Sequence, residues 1–98
     1  MAQFQIVVKK GPEPGKIFLL SNNEVVLGRD VSSEIALNDA EISRSHCKFT
    51  FQGGGYSVED MGSTNGTMVN NQPISAAQML RGGDKVKCGD NVVVEYRS

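Results

Sequence analysis

The chain has 98 residues, of which 21% are charged and 39% hydrophobic, and a formal net charge of −1. A chain of this size makes one domain with little surplus stability, so residues 1–98 are read as a single module. The near-neutral balance offers no basic footprint for a nucleic-acid backbone, and the start has neither a basic leader nor an apolar run of membrane-spanning length. A cytoplasmic protein with no nucleic-acid or membrane partner is therefore expected.

In chain order, β-rich segments are predicted over 4–8, 16–20, 24–27, 34–37, 47–51, 56–59, 67–70, 84–88 and 92–96. Residues rich in Gly, Asn, Asp and Pro separate them, at 11–15, 21–23, 53–55, 62–66, 70–71 and 89–91. These residue types tolerate positive φ or fix φ for a turn. Many short strands at regular spacing predict an all-β sandwich or barrel. Only 75–80 could form a helical turn, too short to stand without tertiary support. Cys47 shares an apolar alternation with Phe49 and Phe51, and Cys88 shares one with Val86, so both are expected as buried, reduced thiols. One histidine and two separated cysteines make no metal-ligand set, and neither metal nor cofactor is expected.

Four polar clusters fall in the loops: Gly28-Arg29-Asp30, Ser43-Arg44-Ser45-His46, Gly62-Ser63-Thr64-Asn65-Gly66-Thr67 and Leu80-Arg81-Gly82-Gly83-Asp84. Arg is a planar, permanently charged fork suited to phosphate oxygens, hydroxyls add donors, and glycine lets backbone N–H groups approach an anion. The second and third clusters together suggest an oxyanion site. Ser45 and His46 are the one conceivable nucleophile and base, but neighbours on an extended strand point to opposite faces. The glycine-rich stretch lacks the lysine and the following helix of a P-loop. Catalysis is not expected. Taken alone, Asn65-Gly66 reads as a tight hairpin.

The order and spacing of these clusters, with Gly89 after the last, resemble the forkhead-associated (FHA) family over nearly the whole chain. That resemblance implies a twisted sandwich of two antiparallel sheets, about eleven strands, with recognition loops at one end. It implies a module without catalysis that binds a phosphothreonine in a partner protein, the product of a Ser/Thr kinase, as a monomer. By the same resemblance Arg29 would pair with the phosphate, Ser43 would donate its hydroxyl to it and Arg44 would add a second charged contact. Thr64 would complete the cradle, and Asn65 would hold the peptide main chain through its two-ended amide. His46 would brace the two recognition loops, Gly62 and Gly66 would permit their turn, and Gly28 would let the chain bend sharply enough to aim Arg29. An FHA-type structural or oligomerisation domain that docks partners without phosphate is the alternative.

Overall fold

The computed structural model describes residues 4–98; the Met1–Gln3 start, read above for a leader, lies outside them. Eleven strands follow one another: β1 (Phe4–Lys10), β2 (Ile17–Leu20), β3 (Glu24–Gly28), β4 (Ile35–Ala36), β5 (Cys47–Gln52), β6 (Gly55–Asp60), β7 (Thr67–Val69), β8 (Gln72–Pro73), β9 (Gln78–Met79), β10 (Lys85–Cys88) and β11 (Val92–Arg97). One sheet has the order β2-β1-β11-β10-β7-β8 and the other β4-β3-β5-β6-β9. Every pairing is antiparallel except β3 with β4, which run parallel. The fold is thus the all-β, two-sheet sandwich that the sequence led us to expect.

The strand period of two builds the core. Ile6 and Val8 of β1, Val25 and Leu27 of β3, Cys47 and Phe49 of β5, and Val92, Val94 and Tyr96 of β11 all point inward and are buried. Each buried aliphatic or aromatic side chain contributes roughly 1.5–3 kcal/mol relative to exposure. At the end of β5 and β6 remote from the polar loops, the rings of Phe4, Phe51, Tyr56 and Tyr96 pack edge-on and stacked, with centroids 5.3–6.4 Å apart. Phe51 closes the rim of this cluster and stays 41% exposed, so only Cys47 and Phe49 of the expected face are fully inside. Cys47 and Cys88 are both buried free thiols, one from each sheet, with sulfurs 3.9 Å apart. Contact with the Cys88 sulfur, reinforced by burial, pushes the Cys47 thiol well above its ordinary range.

Two local readings of the sequence are corrected. The 62–66 stretch is no hairpin, because β6 and β7 belong to different sheets and the segment crosses between them. The two-residue hairpin lies instead at Asn70-Asn71, between Val69 and Gln72, where both asparagines adopt the positive φ (50° and 68°) that such a turn demands. Residues 75–80 form no helical turn. Gln78 and Met79 pair with Val58 and Ser57, and the Leu80 N–H donates to the Tyr56 carbonyl, so sheet pairing outweighs a marginal helical preference.

Candidate functional site

The strands β3, β5, β6 and β7 bring three loops to one end of the sandwich. Main-chain bonds stitch the first two together: Arg29 N–H donates to the Ser43 carbonyl (3.0 Å), Asp30 N–H to the Arg44 carbonyl (3.3 Å) and His46 N–H to the Leu27 carbonyl (2.8 Å). This stitching sets the role of Gly28. Its φ is not positive, and the glycine is required by proximity: a Cβ there would lie 1.9 Å from the Arg44 carbonyl oxygen. The sequence reading assigned it a sharp bend, whereas the structure uses it for the close approach of the 43–46 loop.

The third loop is held by the second. The His46 ring is completely buried; its Nδ1 accepts from Ser43 N–H (3.1 Å) and its Nε2 donates to the Gly66 carbonyl (2.8 Å). The imidazole therefore links two loops 20 residues apart in sequence, with both ring nitrogens occupied, while the neighbouring Ser45 is exposed. Gly62 and Gly66 take φ of 72° and 84°, the left-handed conformation in which a side chain is strained. Thr64 N–H donates to Ser43 Oγ (3.1 Å), and Asn65 Nδ2 donates to the Glu41 carbonyl (2.9 Å).

Arg29, Ser43, Arg44, Thr64 and Asn65 line one open cleft of about 320 Å³, together with Ala40, Glu41 and Ile42. Both arginines are exposed, and neither guanidinium joins an ion pair among the described residues. Ser43 Oγ already accepts a hydrogen bond from Thr64, so its own O–H remains available to donate into the cleft. The result is a concave site with two cationic forks, a hydroxyl donor and an amide at its rim. Such a site suits an anion with several acceptor oxygens. The fourth cluster lies elsewhere: Arg81 N–H caps the Asp84 carboxylate (2.8 Å), whose other oxygen accepts from Asn70 Nδ2, and none of these residues lines the cleft.

Two residues that shape the site were missed in the sequence. Asp60, the last residue of β6, organises the whole 62–67 loop. Its Oδ1 accepts from the hydroxyls of Ser63 and Thr67 (the latter at 2.8 Å) and its Oδ2 from Ser63 N–H (2.9 Å), while Ser63 Oγ in turn accepts from Gly66 N–H (2.9 Å). Burial pushes the Asp60 carboxyl upward, but the Ser63 and Thr67 hydroxyls and the Ser63 N–H outweigh it and hold the group below its ordinary range. An Asp three residues before a Ser at a strand end is the available signal, since such a carboxylate often caps the following turn. Glu41 is the other: its carbonyl holds Asn65 and its carboxylate accepts from Asp90 N–H (3.0 Å), tying the β10–β11 turn to the cleft.

A family model described as the cytoplasmic domain of an inner membrane component of the type III secretion system, an FHA-type domain, matches residues 7–95. The glycogen accumulation regulator GarA of Mycolicibacterium smegmatis is 44% identical over 84 residues, covering 86% of this chain and 52% of that protein. The oxoglutarate dehydrogenase inhibitor of Corynebacterium diphtheriae is 43% identical over 84 residues, covering 86% and 58%. The chain thus spans a little over half the length of these relatives. A solved FHA domain studied for phosphothreonine-dependent interactions superposes with a TM-score of 0.88 at 26% identity, over 99% of this chain and 97% of that one. With the motif order, the sandwich topology and these likenesses in agreement, the chain belongs to the forkhead-associated family of phosphopeptide-recognition modules.

Proposed function

We propose that the cleft binds a phosphothreonine in a partner protein, and that Arg29, Ser43, Arg44 and Thr64 hold the phosphate while Asn65 holds the adjoining main chain. The observation that carries this reading is the convergence of two exposed arginines, in no ion pair among the described residues, with a Ser43 hydroxyl that accepts from Thr64 N–H and keeps its own O–H to donate. Each phosphate oxygen then meets a charge-assisted donor, roughly twice as strong as a neutral one. His46, Gly28, Gly62 and Gly66 act one step back, keeping the loops in register. No catalytic step is assigned to the site; its work is to bind. GarA is named a regulator and its corynebacterial relative an inhibitor, and on this reading the chain likewise acts on another protein by binding it, once a Ser/Thr kinase has marked that protein.

A phosphothreonine peptide library, followed by calorimetry on a selected peptide, tests this. The unphosphorylated peptide is expected to show no measurable binding, and Arg29→Ala to lose about 2–5 kcal/mol, the cost of truncating one partner of a desolvated charge pair. Replacing phosphothreonine by phosphoserine removes one methyl, worth about 0.8 kcal/mol or roughly fourfold by burial alone. Binding of the unphosphorylated peptide with equal affinity would replace this reading with phosphate-independent docking.

A further inference from the structure

The outer face of the six-stranded sheet gathers charge that the rest of the molecule does not share. Lys9 and Lys10 of β1, Lys85 and Lys87 of β10 and Arg97 of β11 lie on it with a single acid, Glu95. Five bases against one acid make this face +4; the remaining five bases and ten acids carry −5, which together give the chain's −1. Local structure contributes to this segregation. The β1–β11 register slips between Val8 and Lys10, so Lys9 is an extra residue opposite β11. Lys10 stands opposite Val93, while Lys9 reaches Glu95 on the same face (3.9 Å). A β-bulge places two consecutive side chains on one side of a sheet, where regular pleating would separate them.

The face is also shaped. Lys85 and Lys87 flank a concavity of about 290 Å³ floored by Val93 and rimmed by Asn70 and Asn71. The rim is fixed, because the Asn70 amide both donates to Asp84 (3.0 Å) and accepts from Lys85 N–H (2.9 Å). Across the sheet on β2, Ile17 and Leu19 stand 52% and 62% exposed, opposite Val7 and Gln5. The geometry points to a second docking surface on this face, separate from the phosphate cleft, for an acidic segment of a partner protein. Charge complementarity selects an anionic occupant. A nucleic acid is disfavoured because the face offers aliphatic rather than aromatic platforms, only one arginine among its five bases, and a carboxylate at its centre. A bilayer is disfavoured because Lys85 and Lys87 border a concavity sized for a side chain.

Fluorescence anisotropy with a labelled decapeptide of alternating Glu and Ala tests the surface, since an extended strand presents alternate residues on one side. The wild-type chain and an Arg29→Ala/Arg44→Ala variant are measured in parallel, so that capture at the cleft is accounted for whether or not the cleft binds phosphate. Saturable binding is expected in both, weakening at least about tenfold between low and high salt. Lys10→Glu/Lys87→Glu and the milder Lys10→Gln/Lys87→Gln should each weaken it, the former at least about tenfold, with unchanged melting temperature. Lys16→Glu, at a residue that lies over the Phe18 ring away from this face, should leave it within twofold. Absence of binding by the wild type, retention of affinity in both double variants, or equal loss in Lys16→Glu overturns the assignment. Tighter binding of a ten-nucleotide single-stranded RNA or of phosphatidylglycerol vesicles would also overturn it, handing the face to a nucleic acid or a membrane.

Discussion

Replacing Asp60 with alanine tests whether one carboxylate holds the recognition loop in shape. The substitution removes three hydrogen bonds, from the Ser63 N–H, the Ser63 hydroxyl and the Thr67 hydroxyl. A bond to a charged acceptor contributes about 1.5–3 kcal/mol, but these three share one half-exposed group and do not add in full. Thr67 is only 3% exposed, so its hydroxyl is left without its partner inside the protein. We expect a loss of about 3 kcal/mol, which for a domain of this size lowers the melting temperature by roughly 12–24 °C. Phosphopeptide affinity should fall about tenfold or more, because Thr64 and Asn65 ride on the loosened loop. Asp60→Asn should lie between, since its oxygen still accepts from the hydroxyls while its NH2 now faces the Ser63 N–H. The carboxyl titrates below its ordinary value of 3.8 in the folded chain, so the stability it contributes is complete above about pH 5 and is lost as pH falls through the folded value. Circular-dichroism melts from pH 7 to 3, paired with calorimetry on a phosphothreonine peptide, read all three effects. A melting temperature for Asp60→Ala within about 4 °C of the parent at pH 7, with unchanged affinity, refutes the reasoning.

Gly28→Ala should destabilise by about 3 kcal/mol or more, because the new methyl collides with a main-chain oxygen that two sets of loop bonds hold in place; a well-behaved variant in denaturant melts would contradict this. His46→Ala should lose both melting temperature and affinity, since it empties a fully buried site and frees two loops, whereas Asn65→Ala should lose affinity with a small thermal change from its one bond to Glu41. Equal thermal shifts in those two variants, measured side by side, would reverse their assigned roles. Affinity for a phosphothreonine peptide should decline from about pH 7 to about pH 5.5, as the phosphate, with a second pKa near 6, loses its dianion. A calorimetric series with a flat or rising profile would count against dianion recognition.

The sheet core was legible because strand periodicity repeats over many residues, and the ordered clusters from Gly28 to Gly66 were legible because their spacing is set by strands of nearly fixed length. What escaped was pairing between distant segments. Asn65-Gly66 has the composition of a hairpin, and only the assignment of β6 and β7 to different sheets shows that it crosses between them. The edge strands Gln72–Pro73 and Gln78–Met79 are two residues each, too short to leave a periodic signal. Glu41 acts mainly through its carbonyl, which every residue type possesses, so its identity carried little information. Gly28 was identified as necessary but for the wrong physical reason, because close approach and sharp bending ask for the same residue.

The bond from Thr64 N–H to Ser43 Oγ, with the His46 bridge beneath it, is made entirely within the chain. The loops that carry Ser43 and Thr64 are therefore tied to each other by the fold itself, and the entropy of fixing these residues is spent during folding. Encounter should then proceed at ordinary docking rates of about 10⁵–10⁷ M⁻¹s⁻¹, as a single kinetic phase without a slow isomerisation. Peptides that differ in affinity would differ chiefly in how long they stay bound, so the duration of the complex, and not the speed of its formation, would distinguish one phosphorylated partner from another.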